Sequence, residues 1–195
     1  MNGHRSAREY PRQVMDEMSI ADAVARMADE LARRHDRDLD QVAFVGIRTR
    51  GVHLAGRLAA RLHDIRGVSL RCASMDITLY RDDVTVQYPP LSAEPTSIQF
   101  DVTDARIVLV DDVLFKGRTI RAALDQLIDF GRPAKIELAV LVDRGHRELP
   151  IQADYVGMRV ETSLDESIRV SLSEIDGVDR VEIVPLAEAE AQSGD

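Results

Sequence analysis

Short apolar runs alternate along the chain with segments whose apolar residues recur every three or four positions. The runs predict buried strands at residues 42–47, 68–79, 106–111 and 135–142. The recurring positions predict three amphipathic helices, with the apolar faces Ile20, Val24, Met27 and Leu31, then Val52, Ala55, Leu58, Ala59 and Leu62, then Ile120, Ala123, Leu124, Leu127 and Ile128. Strands that alternate with helices indicate an α/β fold, with a central, mainly parallel β-sheet flanked by helices.

Capping residues refine the ends of these elements. Ser19 with Asp22 three residues later predicts the start of the first helix as an approximate capping box. Gly131 and Pro133 predict the end of the helix at 118–130. Residues 80–104 lack periodicity and contain three prolines, so we expect a long loop or loose hairpin there. The acidic tail, residues 186–195, is expected to fray.

The most informative segment is Ile-Val-Leu-Val-Asp-Asp-Val-Leu-Phe-Lys-Gly-Arg-Thr at residues 107–119. It predicts a buried strand that ends in Asp111 and Asp112, then a tight loop with Gly117, then a helix start. Loop and helix-start N–H groups favour a phosphate, and the adjacent carboxylates accept hydrogen bonds from sugar hydroxyls. A phosphorylated ribose fits both ends. The alternative is a buried strand whose two acids only cap the loop.

Two other loops also follow predicted strands, and ligands gather at the carboxyl ends of parallel strands. Residues 46–51 offer Arg48, Thr49 and Arg50 between glycines, which suits a pyrophosphate because guanidinium groups bind phosphate oxygens bidentately. Residues 76–83 lead into the long loop and carry Arg81, which would neutralise a departing anion under a closing lid. In isolation, each loop is also compatible with an ordinary solvated surface.

Composition narrows the class of protein. The chain has 195 residues, 45% hydrophobic and 30% charged, which suits one globular α/β domain. The net charge of −9 does not favour non-specific binding to nucleic acid, although a local basic face remains compatible with it. No secretory signal or membrane span is visible, and the single cysteine, Cys72, is expected in the core. These features predict a cytoplasmic protein.

The motif at 107–119 resembles the signature of the type I phosphoribosyltransferases, whose substrate is phosphoribosyl pyrophosphate (PRPP). That family usually has Thr or Ser where this chain has Lys116, which exchanges a hydroxyl donor for a cation near the expected 5′-phosphate. The resemblance implies the type I phosphoribosyltransferase fold. It also implies that the 5′-phosphate and its surroundings are bound by the loop and the start of the helix: Val113, Leu114, Phe115, Lys116, Gly117, Arg118 and Thr119.

Three blocks, at residues 76–83, 107–124 and 138–150, look like the pyrimidine-operon regulators that also act as uracil phosphoribosyltransferases. This resemblance covers roughly residues 18–185. It implies one domain over residues 1–195, with a core at about 18–146 and a small hood at about 147–185 packed with the N-terminal region. The hood would recognise uracil, largely through backbone groups, and Arg144 matches a position used near the substrate. His146 is more simply a structural hydrogen-bonding residue.

The reaction implied is uracil plus PRPP giving UMP plus pyrophosphate. Asp111 and Asp112 would be catalytic and would hold Mg²⁺, partly through substrate and water. Arg48, Thr49 and Arg81 would favour the leaving group. Purine enzymes of the hypoxanthine type carry an Asp where Phe115 stands, and a phenyl ring cannot act as acid or base, which speaks against a 6-oxopurine substrate.

Two alternatives stay open. One is an RNA-binding attenuator that responds to UMP with negligible catalysis, in which the messenger RNA leader is the partner. Arg26, Arg34, Arg144 and Arg147 match that pattern, but Ala25, Asp29 and Met158 depart from it. The other is a phosphoribosyltransferase for a different base. By family analogy we expect a homodimer or homotetramer.

Overall fold

Two β-sheets organise the residues that the computed structural model describes, 10–80 and 96–192. The strands are β1 (Arg12–Met15), β2 (Val42–Ile47), β3 (Arg71–Met75), β4 (Arg106–Leu114), β5 (Lys135–Asp143), β6 (Tyr155–Arg159), β7 (Glu166–Ser171) and β8 (Arg180–Pro185). The helices are α1 (Glu17–Arg34), α2 (Arg50–Arg66), α3 (Arg118–Asp129), α4 (Ser173–Asp176) and α5 (Leu186–Gln192). Short 3₁₀ turns lie at Leu39–Gln41 and Thr78–Tyr80.

The larger sheet has five parallel strands in the order β3-β2-β4-β5-β6. This confirms the predicted α/β fold, and the strand at 42–47 is confirmed to the residue. β4 lies at the centre, and its side chains alternate between two apolar clusters. Val108 and Val110 pack with α1 and α2, whereas Ile107 and Leu109 pack with α3. The helices therefore cover both faces of the sheet.

Two strand boundaries were predicted wrongly. The strand expected at 68–79 is limited to Arg71–Met75, and a 3₁₀ turn forms at Thr78–Tyr80. β4 was expected to end at Asp111 but continues to Leu114, because Val113 and Leu114 pair with Val142 and Asp143 of β5. The two carboxylates thus lie within the strand, and this pairing with a neighbouring strand is invisible in the local pattern.

The helix predictions hold in outline and fail in detail. The four apolar residues predicted for α1 are all buried, but its N-cap is Asp16, whose Oδ1 accepts hydrogen bonds from Ser19 N and Oγ. The predicted Ser19–Asp22 box is therefore wrong. Leu54 of α2 is buried although it was not predicted, and Ile128 of α3 is 60% exposed although it was expected in the core. Packing against the rest of the protein therefore sets which residues of these two helices face the core.

The smaller sheet is antiparallel, with the order β1-β8-β7. It joins the N-terminal strand to two strands of the segment predicted as the hood. β6, from the same segment, instead forms an edge of the larger sheet. Cys72 is exposed on the edge strand β3, which corrects its expected core position. Among the described helices, none combines the length and the apolar character that crossing a bilayer requires.

Glycines bring the start of α2 against the sheet. An added Cβ on Gly51 would lie 2.2 Å from the carbonyl oxygen of Val110 in β4, and one on Gly46 would lie 2.5 Å from the Cα of Val52. These distances are far shorter than any normal van der Waals contact. The two glycines therefore allow the loop after β2 to approach the end of β4.

We expect Gly51→Ala to destabilise the fold by about 2–3 kcal/mol, because the methyl group collides with the backbone of Val110. Gly56→Ala is the matched control on the same helix, since a Cβ there meets nothing within 4 Å. It should stabilise α2 by about 0.5–1 kcal/mol through helix propensity. Urea unfolding measures both changes, and equal effects of the two substitutions would contradict the close packing at Gly51.

Candidate functional site

The loops after β2 and β4 lie side by side at the carboxyl edge of the larger sheet. The two strands pair in parallel, with Gly46 opposite Val110. From β2 the chain moves outward to β3 on one side and then crosses to β4 on the other. Ligands of parallel α/β sheets bind in the crevice formed where the strand order reverses in this way. The fold therefore brings residues 48–49 next to residues 111–112.

Asp111 and Asp112 stand at the top of β4. Asp111 is buried, whereas Asp112 is half-buried. Oδ1 of Asp111 accepts a hydrogen bond from the N–H of Asp112 at 2.9 Å, and Oδ1 of Asp112 accepts one from the N–H of Val113 at 3.0 Å. These bonds fix both carboxylates to the backbone of the strand.

The electrostatic environment of Asp112 opposes its ionisation. Loss of hydration raises the pKa of its carboxyl group above the ordinary value, while a hydrogen bond with Asp111 and the positive charge of Arg50 act in the opposite direction. A carboxylate in this setting gains from a cation or from hydroxyl donors. Mg²⁺ typically takes one or two protein carboxylates together with substrate oxygens and water. The oxygen-only pair therefore fits such an ion, and no group of three or more metal-binding acids, histidines or cysteines occurs in residues 10–80 and 96–192.

The motif loop, which we define as residues 113–117, rests on the segment 143–151, here named the floor. The floor donates hydrogen bonds to three consecutive carbonyl groups of the loop. Arg144 N donates to Leu114 O at 3.1 Å, Arg147 Nη1 donates to Phe115 O at 2.7 Å, and the N–H groups of Glu148 and Leu149 both donate to Lys116 O. All three carbonyls therefore point toward the floor.

This arrangement orients the amides of the loop. In a planar trans peptide the N–H points opposite to the carbonyl oxygen of the preceding residue. The N–H groups of Phe115, Lys116 and Gly117 accordingly point away from the floor. Gly117 then takes a positive φ of 93° and begins α3, whose first intrahelical hydrogen bond runs from Arg121 N to Gly117 O. Loop amides beside a helix N-terminus form an anion site.

Charged side chains from the motif loop and from the first residue of α3 meet a carboxylate of the floor. Lys116 Nζ lies 2.8 Å from Oε1 of Glu148, and Arg118 Nη2 lies 2.8 Å from Oε2 of the same residue. These ion pairs lower the pKa of the Glu148 carboxyl group, the hydrogen bond from Lys116 first and that from Arg118 second. Thr119 follows at the second position of α3. The motif loop and the start of α3 thus carry one cation each, and the floor supplies a carboxylate that pairs with both.

Arg144 lies under the loop, where the sequence predicted a residue near the substrate. It is 4% exposed, its guanidinium carbon lies 3.9 Å from the centroid of the Phe115 ring, and it donates to Glu166 O at 2.7 Å and to Thr162 Oγ1 at 3.2 Å. Burial lowers the pKa of this guanidinium. Arg144 therefore joins Phe115 to the segment 162–166.

His146 Nε2 lies 2.7 Å from Thr162 O, in agreement with a structural hydrogen bond.

A cleft of about 700 Å³ opens at the carboxyl ends of β5 and β6, lined by residues 143–147, 152–153 and 159–162. β5 is the immediate neighbour of β4, with Asp143 opposite Leu114. The cleft is therefore next to the motif loop. Its volume lies within the range of small-molecule sites.

The loop after β2 supplies the opposite side. Arg48 and Thr49 are joined by a cis peptide, Arg48 Nη2 donates to Ser74 Oγ at 3.1 Å, and Thr49 is exposed. Arg50, whose charge acts on Asp112, also bonds Asp176 of α4 at 3.1 Å. Arg81, with most of the predicted lid, lies outside the described residues.

Two residues of the site were not predicted as part of it from the sequence, Arg147 and Glu148, whereas Arg50 was predicted with the pyrophosphate loop. Arg147 was noted only as a candidate for RNA contact, yet it holds the carbonyls of Leu114, Phe115, Gly145 and Ile151. Glu148 lies about 30 residues beyond the cations it binds, so no local pattern indicates the pairing. The only signal in the sequence was that a basic residue, Arg147, follows shortly after β5, the strand adjacent to the motif strand.

Comparison with known proteins agrees with this geometry. Residues 12–172 match the family described as phosphoribosyl transferase domain. A protein of Roseiflexus named "Bifunctional protein PyrR" is 55% identical over 174 residues, which cover 89% of this chain and 94% of that relative. A protein of the same name from Halalkalibacterium halodurans is 50% identical over 176 residues, covering 88% and 96%.

Solved structures share the fold at low identity. The hypoxanthine phosphoribosyltransferase of Trypanosoma cruzi, solved in complex with IMP, matches with a TM-score of 0.70 at 16% identity, covering 95% of this chain and 98% of that one. A hypoxanthine phosphoribosyltransferase of Staphylococcus aureus matches with a TM-score of 0.66 at 16% identity, covering 91% and 94%. At this identity the likeness concerns the fold alone.

We expect Asp112→Asn to leave the protein at least as stable as the wild type at neutral pH. The pKa of Asp112 is raised in the fold, so the native state binds its proton more readily than the unfolded chain does, and ionisation at neutral pH costs stability. The gain from Asn should shrink as the pH falls through the raised pKa. Thermal unfolding at several pH values measures this.

Asp125→Asn is the control, because within the described part of the chain Asp125 on α3 forms an exposed ion pair with Arg121, whose loss should change stability little. A marked destabilisation by Asp112→Asn at neutral pH would show that the carboxylate is a net stabilising group.

Proposed function

Because the chain belongs to the phosphoribosyl transferase domain family and, within it, to the bifunctional PyrR proteins, we propose that it transfers the phosphoribosyl group of PRPP to uracil, giving UMP and pyrophosphate. One observation carries the proposal. The floor bonds the carbonyls of residues 114–116, so that the loop amides point away from the floor and are available to an anion, close in the chain to the carboxylates Asp111 and Asp112. A phosphate joined to a sugar needs both halves of this arrangement.

In this assignment the amides of the motif loop and Thr119 hold the 5′-phosphate. Asp111 and Asp112 accept the ribose hydroxyls. Both carboxylates lie near the ribose, where positive charge develops as the bond to pyrophosphate breaks and uracil nitrogen bonds to the same carbon. Their negative charge stabilises that state, so catalysis consists of positioning and electrostatics.

The leaving group lies on the β2 side. Arg48 and Thr49, together with Arg81 from the predicted lid, are proposed to bind pyrophosphate. Mg²⁺ would be held by Asp111 and Asp112, partly through substrate oxygens and water, and when bound it neutralises charge on the pyrophosphate. The position of Asp111 and Asp112 on consecutive residues at the top of β4 supports this, and a cation bound there would favour the ionised form of Asp112.

Uracil is proposed to occupy the cleft at the ends of β5 and β6. The ring of Phe115 contacts two residues that line this cleft, with its centroid 3.9 Å from the guanidinium carbon of Arg144 and 5.8 Å from the ring centroid of His146. Because Phe115 has no acid or base group, the site suits a pyrimidine that loses its own nitrogen proton readily. Arg144 would then act on the substrate through Phe115 and residues 162–166, as a positioning residue.

A second candidate function is RNA binding that responds to UMP, which the word bifunctional in the relatives' name favours. Exposed arginines support it on and just after α1: Arg26, Arg33, Arg34 and Arg37. Asp22, Asp29 and Asp36 alternate with them, and Arg144 and Arg147 are engaged inside the protein. We therefore rank RNA binding below catalysis. A cytoplasmic homodimer or homotetramer stays a prediction.

We expect Asp112→Asn to lower kcat/KM for UMP formation by about 100-fold or more, since an electrostatic group beside the reacting carbon is lost. The assay combines PRPP, Mg²⁺ and uracil and detects UMP. Asp125→Asn should retain wild-type activity. Because the variant is expected to fold, wild-type-like kcat/KM would count directly against the assignment.

A panel of bases with PRPP tests the substrate, and uracil should exceed hypoxanthine, guanine and cytosine. Preference for a purine would overturn the cleft assignment while leaving the phosphoribosyl chemistry intact.

RNA binding is tested by titrating the protein with the leader of its own operon, with and without UMP. A Kd that falls on adding UMP and rises steeply with salt is expected for a regulator. Binding that ignores UMP would remove this second function.

A further inference from the structure

One cation of the motif loop and one from the first residue of α3 converge on a single carboxylate. Glu148 contacts Lys116 through Oε1 and Arg118 through Oε2, and Arg118 Nε adds a hydrogen bond of 2.9 Å. The three side chains are 38–42% exposed. They therefore form a solvent-accessible triad at the loop and the first residue of α3.

The backbone holds Glu148 in this place. Its N–H and that of Leu149 donate to Lys116 O at 3.0 and 3.2 Å, within the same set of bonds that orients the loop. The Cα of Glu148 is thus tied to the residue whose side chain it neutralises. The lowered pKa of its carboxyl group keeps it ionised at neutral pH.

In the structure Lys116 and Arg118 are turned toward Glu148 of the floor, and both lie next to the loop amides in the chain, so a phosphate bound by those amides would compete for their long side chains. Lys116 belongs to the loop, and Arg118 opens α3 directly after Gly117. A phosphate dianion and Glu148 are both acceptors for these two side chains, and each contact of a cation with one weakens its contact with the other. The triad leaves a net charge of +1, whereas removal of the carboxylate charge would leave +2.

We propose, on the basis of the proposed function, that the carboxylate of Glu148 competes with the 5′-phosphate for Lys116 and Arg118. This competition sets the affinity of the motif loop for phosphorylated ribose. The competition from Glu148 lowers the affinity for UMP and so favours product release. Lys116 sharpens the effect, because its ammonium on a flexible stem can move between the carboxylate and a phosphate.

Isothermal titration of UMP and of uridine tests the proposal, because the two ligands differ only in the phosphate. Glu148→Gln should tighten UMP binding by about threefold at low salt, the size expected for an exposed ion pair, and leave uridine unchanged. The gain should shrink as ionic strength rises. If Glu148 instead positions the two cations, UMP binding becomes weaker, which overturns the proposal.

Two further variants make the test specific. Glu17→Gln, on the exposed first turn of α1, changes the net charge equally and should leave the UMP Kd unchanged. In a Lys116→Thr background, Glu148→Gln should gain less than in the wild type, because one of the two contested cations is gone. An equal gain in both backgrounds, or the same gain from Glu17→Gln, would overturn the role of the triad.

The outcome also separates this inference from the proposed function. Failure of the wild-type protein to bind UMP would overturn both. UMP binding that Glu148→Gln leaves unchanged would overturn the competitor alone.

Discussion

The hydrogen bonds between the floor and the carbonyls of residues 114–116 are the constraint on which the site depends. Peptide planarity converts them into a set of amides that face the opposite side. Arg147 is central, since one guanidinium holds carbonyls from both the loop and the floor and also pairs with Asp143. The proposed anion site is therefore made by two consecutive strand ends, β4 and β5, and neither segment would form it alone.

Close packing on the other side completes the crevice. Gly46 and Gly51 let the start of α2 approach the backbone of β4, which brings Arg50 and the loop at 48–49 beside the carboxylates. Arg50 reaches Asp176 and Arg57 reaches Glu174 and Asp179, so α2 is also joined to the region of the smaller sheet. The leaving-group side and the hood side of the proposed site thus share one helix.

The charged side chains of the proposed site affect both the stability of the fold and the proposed function. Loss of hydration raises the pKa of Asp112, and the cation or sugar hydroxyls of the proposed function would offset the cost of its ionisation. Lys116 and Arg118 are in turn partly neutralised by Glu148. Arg144, which is buried, is held by other kinds of contact. Arg144 donates to the carbonyl of Glu166 and lies against the ring of Phe115, so its contacts are those of a residue that builds the pocket.

The sequence by itself determined the α/β class, the strand at 42–47, the buried face of α1 and the motif at 107–119, because these depend on local periodicity and on residues that are neighbours in the chain. The tertiary structure decided where β4 ends, since its last residues are ordered by β5, and which face of α3 is buried, since Ile128 remains exposed. It also decided that Arg144 and Arg147 support the loop and that Glu148 meets Lys116 and Arg118. Such contacts join residues about 30 positions apart, and their partners are set by strand order and register, which no local pattern of side chains encodes.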